Sequence, residues 1–423
     1  MLRARLAVRI IAASVLTGVG ACTTERAPTG APQTAAQILS QPSGDVQFGT
    51  AAHDAAHSVA AGKLGVVIVG TTSGAFEGSS NAGGYDAFVR LHDKRGVAVW
   101  TQQFGTGADD GAASVAMDRG GVYVTGTTSG ALGGVGNLGA SDGYVRSLDA
   151  SGSIRWQTRL ASAGADSAFG VAVDRDAVYV SGVLRGPMEG TTVDNADGYI
   201  IRLDAQTGVI VWMTRFVGVS GGDDAARAVT VDGDGVYVAA TYTGGTSGAG
   251  PGGEDAYLVK IDAATGAFVW LSSIASAQPD IGWGVSHAGG TTYLVGVSAG
   301  HAFAAAFTSL TGALQWRTTL ATTGTDVATT TGADRSAVQV AGWTTGAFDG
   351  FSNAGGTDAF HASLDATSGA IRSMSQFGTG GTDTALGSFL DGAVWHLVGN
   401  TGGALAGVSQ GGFDAFWLQR AVR

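Results

Sequence analysis

Among the 423 residues there is a single cysteine, Cys22, with only seven histidines and six prolines. One thiol cannot close a disulfide within the chain, and no cysteine and histidine set has the spacing of a zinc site. His53 and His57 are four apart, but in a stretch that reads as turn and strand rather than helix. Charge is scarce as well: 13% of residues are charged, and the formal net charge is −11. With no basic patch to neutralise phosphates, nucleic acid and anionic lipid are disfavoured as direct partners. Nucleophile elbow, phosphate loop and dinucleotide fingerprint are all missing; "GTGADDG" (Gly105 to Gly111) is glycine-rich for turn geometry, and its aspartates would repel a phosphate. No apolar run reaches the roughly 20 residues that a membrane-spanning helix needs.

What the chain has in excess is glycine, 71 residues of it, set among Val, Tyr, Thr and Trp. Glycine inside a helix costs about 1 kcal/mol relative to alanine, so this mixture points to short strands joined by tight turns. The first 21 residues differ. Arg3, Arg5 and Arg9 precede an apolar run from Ile10 to Ala21 that ends in small residues, the layout of a secretory signal. "VGAC" (Val19 to Cys22) resembles the bacterial lipoprotein box, which implies a lipidated Cys22 as the first mature residue. Loss of the three arginines would take the formal charge from −11 to −14. Residues 22–42, polar with three prolines, read as a flexible tether between a membrane and the body of the protein.

From residue 43 onward the sequence repeats itself, with the apolar residue of each "FGTG"-like segment as anchor. Phe48, Phe104, Leu160, Phe216, Ile274, Leu320 and Phe377 are spaced by 56, 56, 56, 58, 46 and 57 residues. Each copy holds four strand-like runs bounded by Gly, Asp, Asn or Ser, and a four-stranded sheet cannot bury both faces until neighbours flank it. An all-β, seven-bladed propeller of four-stranded antiparallel blades is therefore predicted over 43–423. The last copy ends at "GGFDAFWLQRAVR" with three strands, and "DVQF" (Asp45 to Phe48) supplies the missing fourth. The early segment is expected to close the ring beside Asp414 to Ala421, since an open edge would invite aggregation.

The unit "FGT...D.A..V..D..G.VYV.G.T.G......GG.DAFV..LD..G...W" resembles the bacterial seven-bladed β-propeller repeat family labelled SBBP, over residues 45–423. That resemblance implies the fold and a secreted or surface protein, and says little about chemistry. "LDAQTGVIVW" (Leu203 to Trp212) and "IDAATGAFVW" (Ile261 to Trp270) are similar to the tryptophan-docking repeats of quinoprotein dehydrogenases and of an outer-membrane assembly lipoprotein with a related propeller. Trp100, Trp156, Trp212, Trp270 and Trp316 recur in the fourth strand, with Ser373 and Gly44 in the remaining two places. Packing between blades, rather than contact with a cofactor, is the expected role of these rings.

Two aspartates recur. One opens the first strand of each copy, as Asp54, Asp110, Asp166, Asp224, Asp280, Asp326 and Asp383; another precedes the third strand, as Asp86, Asp142, Asp197, Asp255, Asp358 and Asp414. A carboxylate ring could hold Ca²⁺, which takes six to eight oxygens, whereas single carboxylates could cap backbone N–H groups of their own turns. Repetition in every unit favours the cap, since a residue needed in all seven copies serves the unit. Function is expected where the copies differ. Three residues after the first Asp stand His57, Ala113, Phe169, Arg227, Trp283, Thr329 and Leu386, near one mouth of the channel. These side chains could contact a ligand there or pack between blades beside Val59, Val115, Val171, Val229 and Val285. The fifth copy is shorter, with "SAGHAFAAAF" (Ser298 to Phe307) in place of a long outer loop, and a recess beside His301 and Trp283 is a further candidate.

The sequence thus reads as a monomeric, lipid-anchored propeller of the cell envelope that binds a protein or glycan. It touches the membrane through its anchor alone and needs no cofactor. The alternative is a propeller enzyme, a quinoprotein-like dehydrogenase, glycosidase or lyase, with its site at the channel mouth.

Overall fold

A computed structural model describes residues 44–119, 121–134, 136–186, 196–216, 222–233, 235–243 and 253–422; the expected leader 1–21, Cys22 and the tether 22–42 lie outside them. Seven four-stranded antiparallel sheets account for every strand among the described residues. Six sheets are built from consecutive strands: blade 1 runs from Asp54 to Phe104, blade 2 from Asp110 to Leu160, blade 3 from Ser167 to Phe216, blade 4 from Ala225 to Ile274, blade 5 from Asp280 to Leu320 and blade 6 from Asp326 to Phe377. Their innermost strands touch in a closed circle, with the first strand of blade 7 (Asp383–Asp391) against that of blade 1 (Asp54–Ala61).

Burial follows strand position. The second strand of blade 1, Val66–Thr72, is buried at every residue because both of its faces are covered by neighbouring blades. Outermost strands begin in solvent, as at Val97, Val99, Phe268 and Val269, and become buried toward the end that carries the "FGT" anchor. The apolar clusters lie between blades rather than within them. Val67, Val69, Val89 and Leu91 of blade 1 pack with Val122 and Val124 of blade 2.

Blade 7 is completed by the other end of the chain, as the repeat count predicts. Val46–Phe48 pairs antiparallel with Asp414–Ala421, placing Val46 opposite Trp417, Gln47 opposite Phe416 and Phe48 opposite Ala415. Gln47 explains why "QFGT" opens the body. Its amide nitrogen donates to Gly403 O and Asp414 Oδ2 at 2.8 and 2.7 Å, and its oxygen accepts from Leu405 N at 2.9 Å. Gln103 does the same in blade 1 with Gly74 O, Asp86 Oδ2 and Phe76 N, and Gln376 does so in blade 6 with Gly346 O, Asp358 Oδ2 and Phe348 N. Asp45 adds an ion pair with Arg420, whose Nη1 lies 2.9 Å from each carboxylate oxygen.

The repeated tryptophans join blades. The indole N–H of Trp100, Trp156, Trp212, Trp270 and Trp316 donates to Ala150, Ala205, Ala263, Ser309 and Ala366 O, at 3.0 to 3.2 Å. Each acceptor lies in the turn between the third and fourth strands of the following blade. Glycine in that turn is required twice over: Gly208 has φ +70°, and a Cβ there would stand 2.4 Å from the Trp156 ring. Ser373 has no such turn to meet, because between the third and fourth strands of blade 7 the chain is discontinuous. Gly44 occupies the last tryptophan position, and there Val46, then Gly44 O and Trp417, lie nearest to where a Cβ on Gly96, the glycine of blade 1, would stand.

Candidate functional site

The seven residues that vary from copy to copy share one backbone feature. In every innermost strand the pairing register slips by one residue, and the residue left out of register is His57, Ala113, Phe169, Arg227, Trp283, Thr329 or Leu386. A bulge inserts one unpaired residue, bends the strand and turns its side chain out of the alternation. That is why His57 does not share its environment with Val59. Val59 is buried at 2% exposure, while His57 and its six counterparts are half-buried. The bulges also bring inner strands together: a Cβ on Gly387 would stand 2.3 Å from His57 O, and one on Gly284 3.1 Å from Thr329 O.

Several bulged residues reach the next blade. His57 Nδ1 donates to Ala112 O of blade 2 at 2.8 Å, and Thr329 Oγ1 donates to Ala385 O of blade 7 at 2.7 Å. Burial lowers the His57 pKa, partly opposed by that backbone bond, so the ring stays neutral near pH 7. Arg227 of blade 4 lays its guanidinium 4.3 Å from the centre of the Trp283 ring of blade 5, and its Nε donates to Thr241 Oγ1 at 3.3 Å. Burial pulls the Arg227 pKa down, with Glu254 acting the other way. The indole N–H of Trp283 is buried without an acceptor.

Directly outside this ring lie the first aspartates. Asp54 Oδ2 accepts from Thr50 N at 2.6 Å and from Thr50 Oγ1 at 3.0 Å; Asp110 repeats the pattern with Thr106, and Asp383 with Thr379. Asp280 accepts from Ser276 N and Asp326 from Thr322 N, while Asp166 takes both the N–H and the hydroxyl of Ser162. Asp224 accepts from Thr243 N at 3.1 Å. Six of the seven thus close the turn that begins four residues earlier. Burial nevertheless pushes the pKa of Asp54, Asp110 and Asp166 up, against the hydrogen bonds that lower it. Among the described residues no group of three or more His, Cys, Asp or Glu side chains is placed to hold a metal ion.

In the fifth blade a two-residue turn, Ala299 (φ +52°) and Gly300 (φ +82°), replaces the long loop of the other blades. His301 follows it and lies 3.0 Å from Asp326 Oδ2 of blade 6. Trp283 faces blade 4 through Arg227, so His301 and Trp283 attend to opposite neighbours and do not frame one recess. Elsewhere a depression of about 550 Å³ runs between the strand-turn ends of blades 1 and 2, lined by Leu64, Met117, Lys63 and Arg119. Those turns lie at the opposite end of the strands from the first aspartates. The bulges were the signal that sequence reading missed. A slipped register changes neither residue type nor spacing within the strand.

The family model described as outer membrane protein assembly factor BamB matches residues 141–349, just under half of the chain. That stretch runs from the third strand of blade 2 to just past the second strand of blade 6, and includes the complete dockings of Trp156, Trp212 and Trp270. No curated protein matches the chain in sequence. Among solved structures, BamB from Moraxella catarrhalis is similar at 17% identity and a TM-score of 0.46, covering 90% of this chain and 100% of that one. The quinohemoprotein alcohol dehydrogenase of Comamonas testosteroni is similar at 15% identity and 0.42, covering 80% and 73%. A Dos1 propeller is similar at 12% identity and 0.46, covering 89% and 95%. The chain is a seven-bladed propeller whose central blades are similar to the BamB family model.

Proposed function

We propose that this propeller is a binding and scaffold module of the cell envelope, anchored through a lipid on Cys22, which presents one mouth of its channel to a protein or glycan partner. The observation that carries the reading is the bulge ring. The copies of one unit are held by capping aspartates in six of seven and docked tryptophans in five, and the positions freed from strand pairing are the ones whose chemistry differs from blade to blade. Such an arrangement gives a symmetric scaffold one asymmetric surface. The name of the family model matched by residues 141–349, an outer membrane protein assembly factor, agrees with a role in holding other proteins at an envelope. The anchor in this reading rests on the "VGAC" box, which implies a lipid on Cys22.

The test is capture of the partner from envelope extract by the wild type and by Ala113→Trp, which fills the ring from its smallest side without touching Arg227 or Trp283. Retention by the wild type and loss in the variant is the expected result. Equal retention by both would remove the ring from the reading. Metabolic labelling with a palmitate analogue tests the anchor: label should enter the wild type and not Cys22→Ser.

A further inference from the structure

Resting on the reading of the bulge ring as the binding surface, we propose that its Arg227 and Trp283 corner is a carboxylate-binding site, the point at which the ring recognises an acidic group of its ligand. Arg227 is half-buried, and among the described residues no carboxylate lies within ion-pair distance of it, Glu254 acting only from farther away. Buried Arg215 and Arg420 are paired with Asp197 and Asp45, and Arg146 donates to Gln157 Oε1, whereas Arg90, like Arg227, lies on aromatic rings with no carboxylate within ion-pair distance. A partly desolvated charge with no carboxylate beside it is suited to an anionic partner from outside.

The geometry defines that partner. Nε is committed to Thr241 Oγ1, and the terminal amino groups of Arg227 have no acceptor among the described residues. The guanidinium is fixed on the Trp283 ring at 4.3 Å, and the Trp283 N–H is a second buried donor with no acceptor. Both residues sit on bulges, in adjacent blades, so the inner-strand backbone holds them against each other. A planar monoanion meets the paired N–H groups of a guanidinium in parallel, which is the arrangement of a bidentate carboxylate. A phosphate dianion is disfavoured, because Asp280, at the start of the strand that carries Trp283, and Asp224, just before the strand that carries Arg227, lie three residues upstream, about 10 Å away. The carboxylate could be a free small acid or an acidic side chain of a peptide, and both offer the same group to Arg227.

The experiment uses the purified full-length protein, titrated with sodium acetate against sodium chloride at matched ionic strength, with melting temperature and tryptophan fluorescence as readouts. At tenfold excess over its dissociation constant, acetate should raise the melting temperature by roughly 2 °C. Arg227→Gln should abolish the rise. Trp283→Phe, which keeps the ring face and removes the donor, should weaken acetate binding about tenfold. Arg227→Lys, which keeps the charge, serves if Arg227→Gln does not fold, and should bind acetate more weakly than the wild type. A blocked peptide with a single glutamate separates the sources: tighter binding than acetate assigns the site to an acidic chain, and equal binding to a free acid. No acetate effect beyond chloride, or the same effect in Arg227→Gln, overturns the proposal. Should acetate fail to bind while Ala113→Trp still loses the partner, this inference alone falls; should acetate bind while both proteins capture equally, the binding-module reading falls instead.

Discussion

The joints between blades are of two kinds. From blade 1 through blade 6 each joint is fastened by a tryptophan that donates into the following blade's turn and lies on that turn's glycine. On either side of blade 7 the fastening is different. His92 of blade 1 packs 5.3 Å from Trp417 and 5.6 Å from Phe48, and His361 of blade 6 meets Trp395 edge-on at 4.4 Å. Inside blade 7 the Trp417 N–H donates to His396 Nδ1 at 3.1 Å. A ring cut within one blade loses one turn, and with it the docking site for one tryptophan. That loss accounts for Ser373, whereas the turn facing Gly44 in blade 1 is intact with Gly96 against Val46; both exceptions flank blade 7, where aromatic pairs with neutral histidines take the place of the tryptophans.

The sharpest way to break this comparison is to remove the closing strand. Deleting residues 44–48 takes away the pairing with Asp414–Ala421, the Asp45–Arg420 pair, the four side-chain bonds of Gln47 and the buried Phe48 ring. Losing a buried phenylalanine alone costs about 3 to 5 kcal/mol. The whole deletion should exceed 6 kcal/mol, a large part of the stability of any domain. Thermal melts should show a collapse of the transition, whereas an equal deletion in residues 23–42 should leave it in place. Equal melts for the two deletions would refute closure by this strand.

Acid should separate the two kinds of joint next. Burial lowers His92 to about 4, aided by Arg90 and opposed by the Gly96 carbonyl and Asp93, and it lowers His361 to about 3, aided by Arg420. Each is neutral when folded and takes a proton near pH 6.5 when unfolded, so stability is intact above that value and is lost as pH falls toward the folded pKa. The loss between pH 6.5 and 4 is about 3 kcal/mol for each histidine. His287, at the joint of blades 4 and 5, stacks on Tyr237 at 5.1 Å and is also lowered by burial, but there Asp232, 2.7 Å from its Nε2, opposes the shift. Urea unfolding from pH 7 to 4 should show a steep acid limb that His92→Gln and His361→Gln each flatten. A limb unchanged in both variants would detach the seam from the acid response.

Much of this was legible in the sequence, for reasons that differ from residue to residue. Blade number and the role of "DVQF" follow from periodicity, because a repeat displays its own incomplete copy. The tryptophans and the glycines of "DAQTG" and "DAATG" were visible as a spacing, though not as partners, since each pair spans two blades. The seam histidines carry no local pattern: His92 and Trp417 come from opposite ends of the chain. The bulges were hidden because a slipped register leaves composition and spacing unchanged. The positions of the ring could be named from the sequence, but not the slipped register that sets their side chains apart from the row of Val59.

The last two variants exchange the parts of the comparison and are expected to give unequal results. Trp316→Ser removes the ring lying on Gly369 and the bond to Ala366 O, and should cost about 2 to 3 kcal/mol, since the side chain is half-buried. Ser373→Trp supplies the same side chain at the equivalent place in blade 6. Ser373 is exposed, and blade 7 offers no third-to-fourth-strand turn with a glycine beneath it and a carbonyl beside it. The added ring has nothing to dock on and should shift the melting temperature by less than about 1 °C, as surface substitutions do. A gain of several degrees in Ser373→Trp would mean that the joint of blades 6 and 7 holds a docking surface of its own, and that the missing tryptophan is drift in one copy rather than a consequence of where the ring is cut.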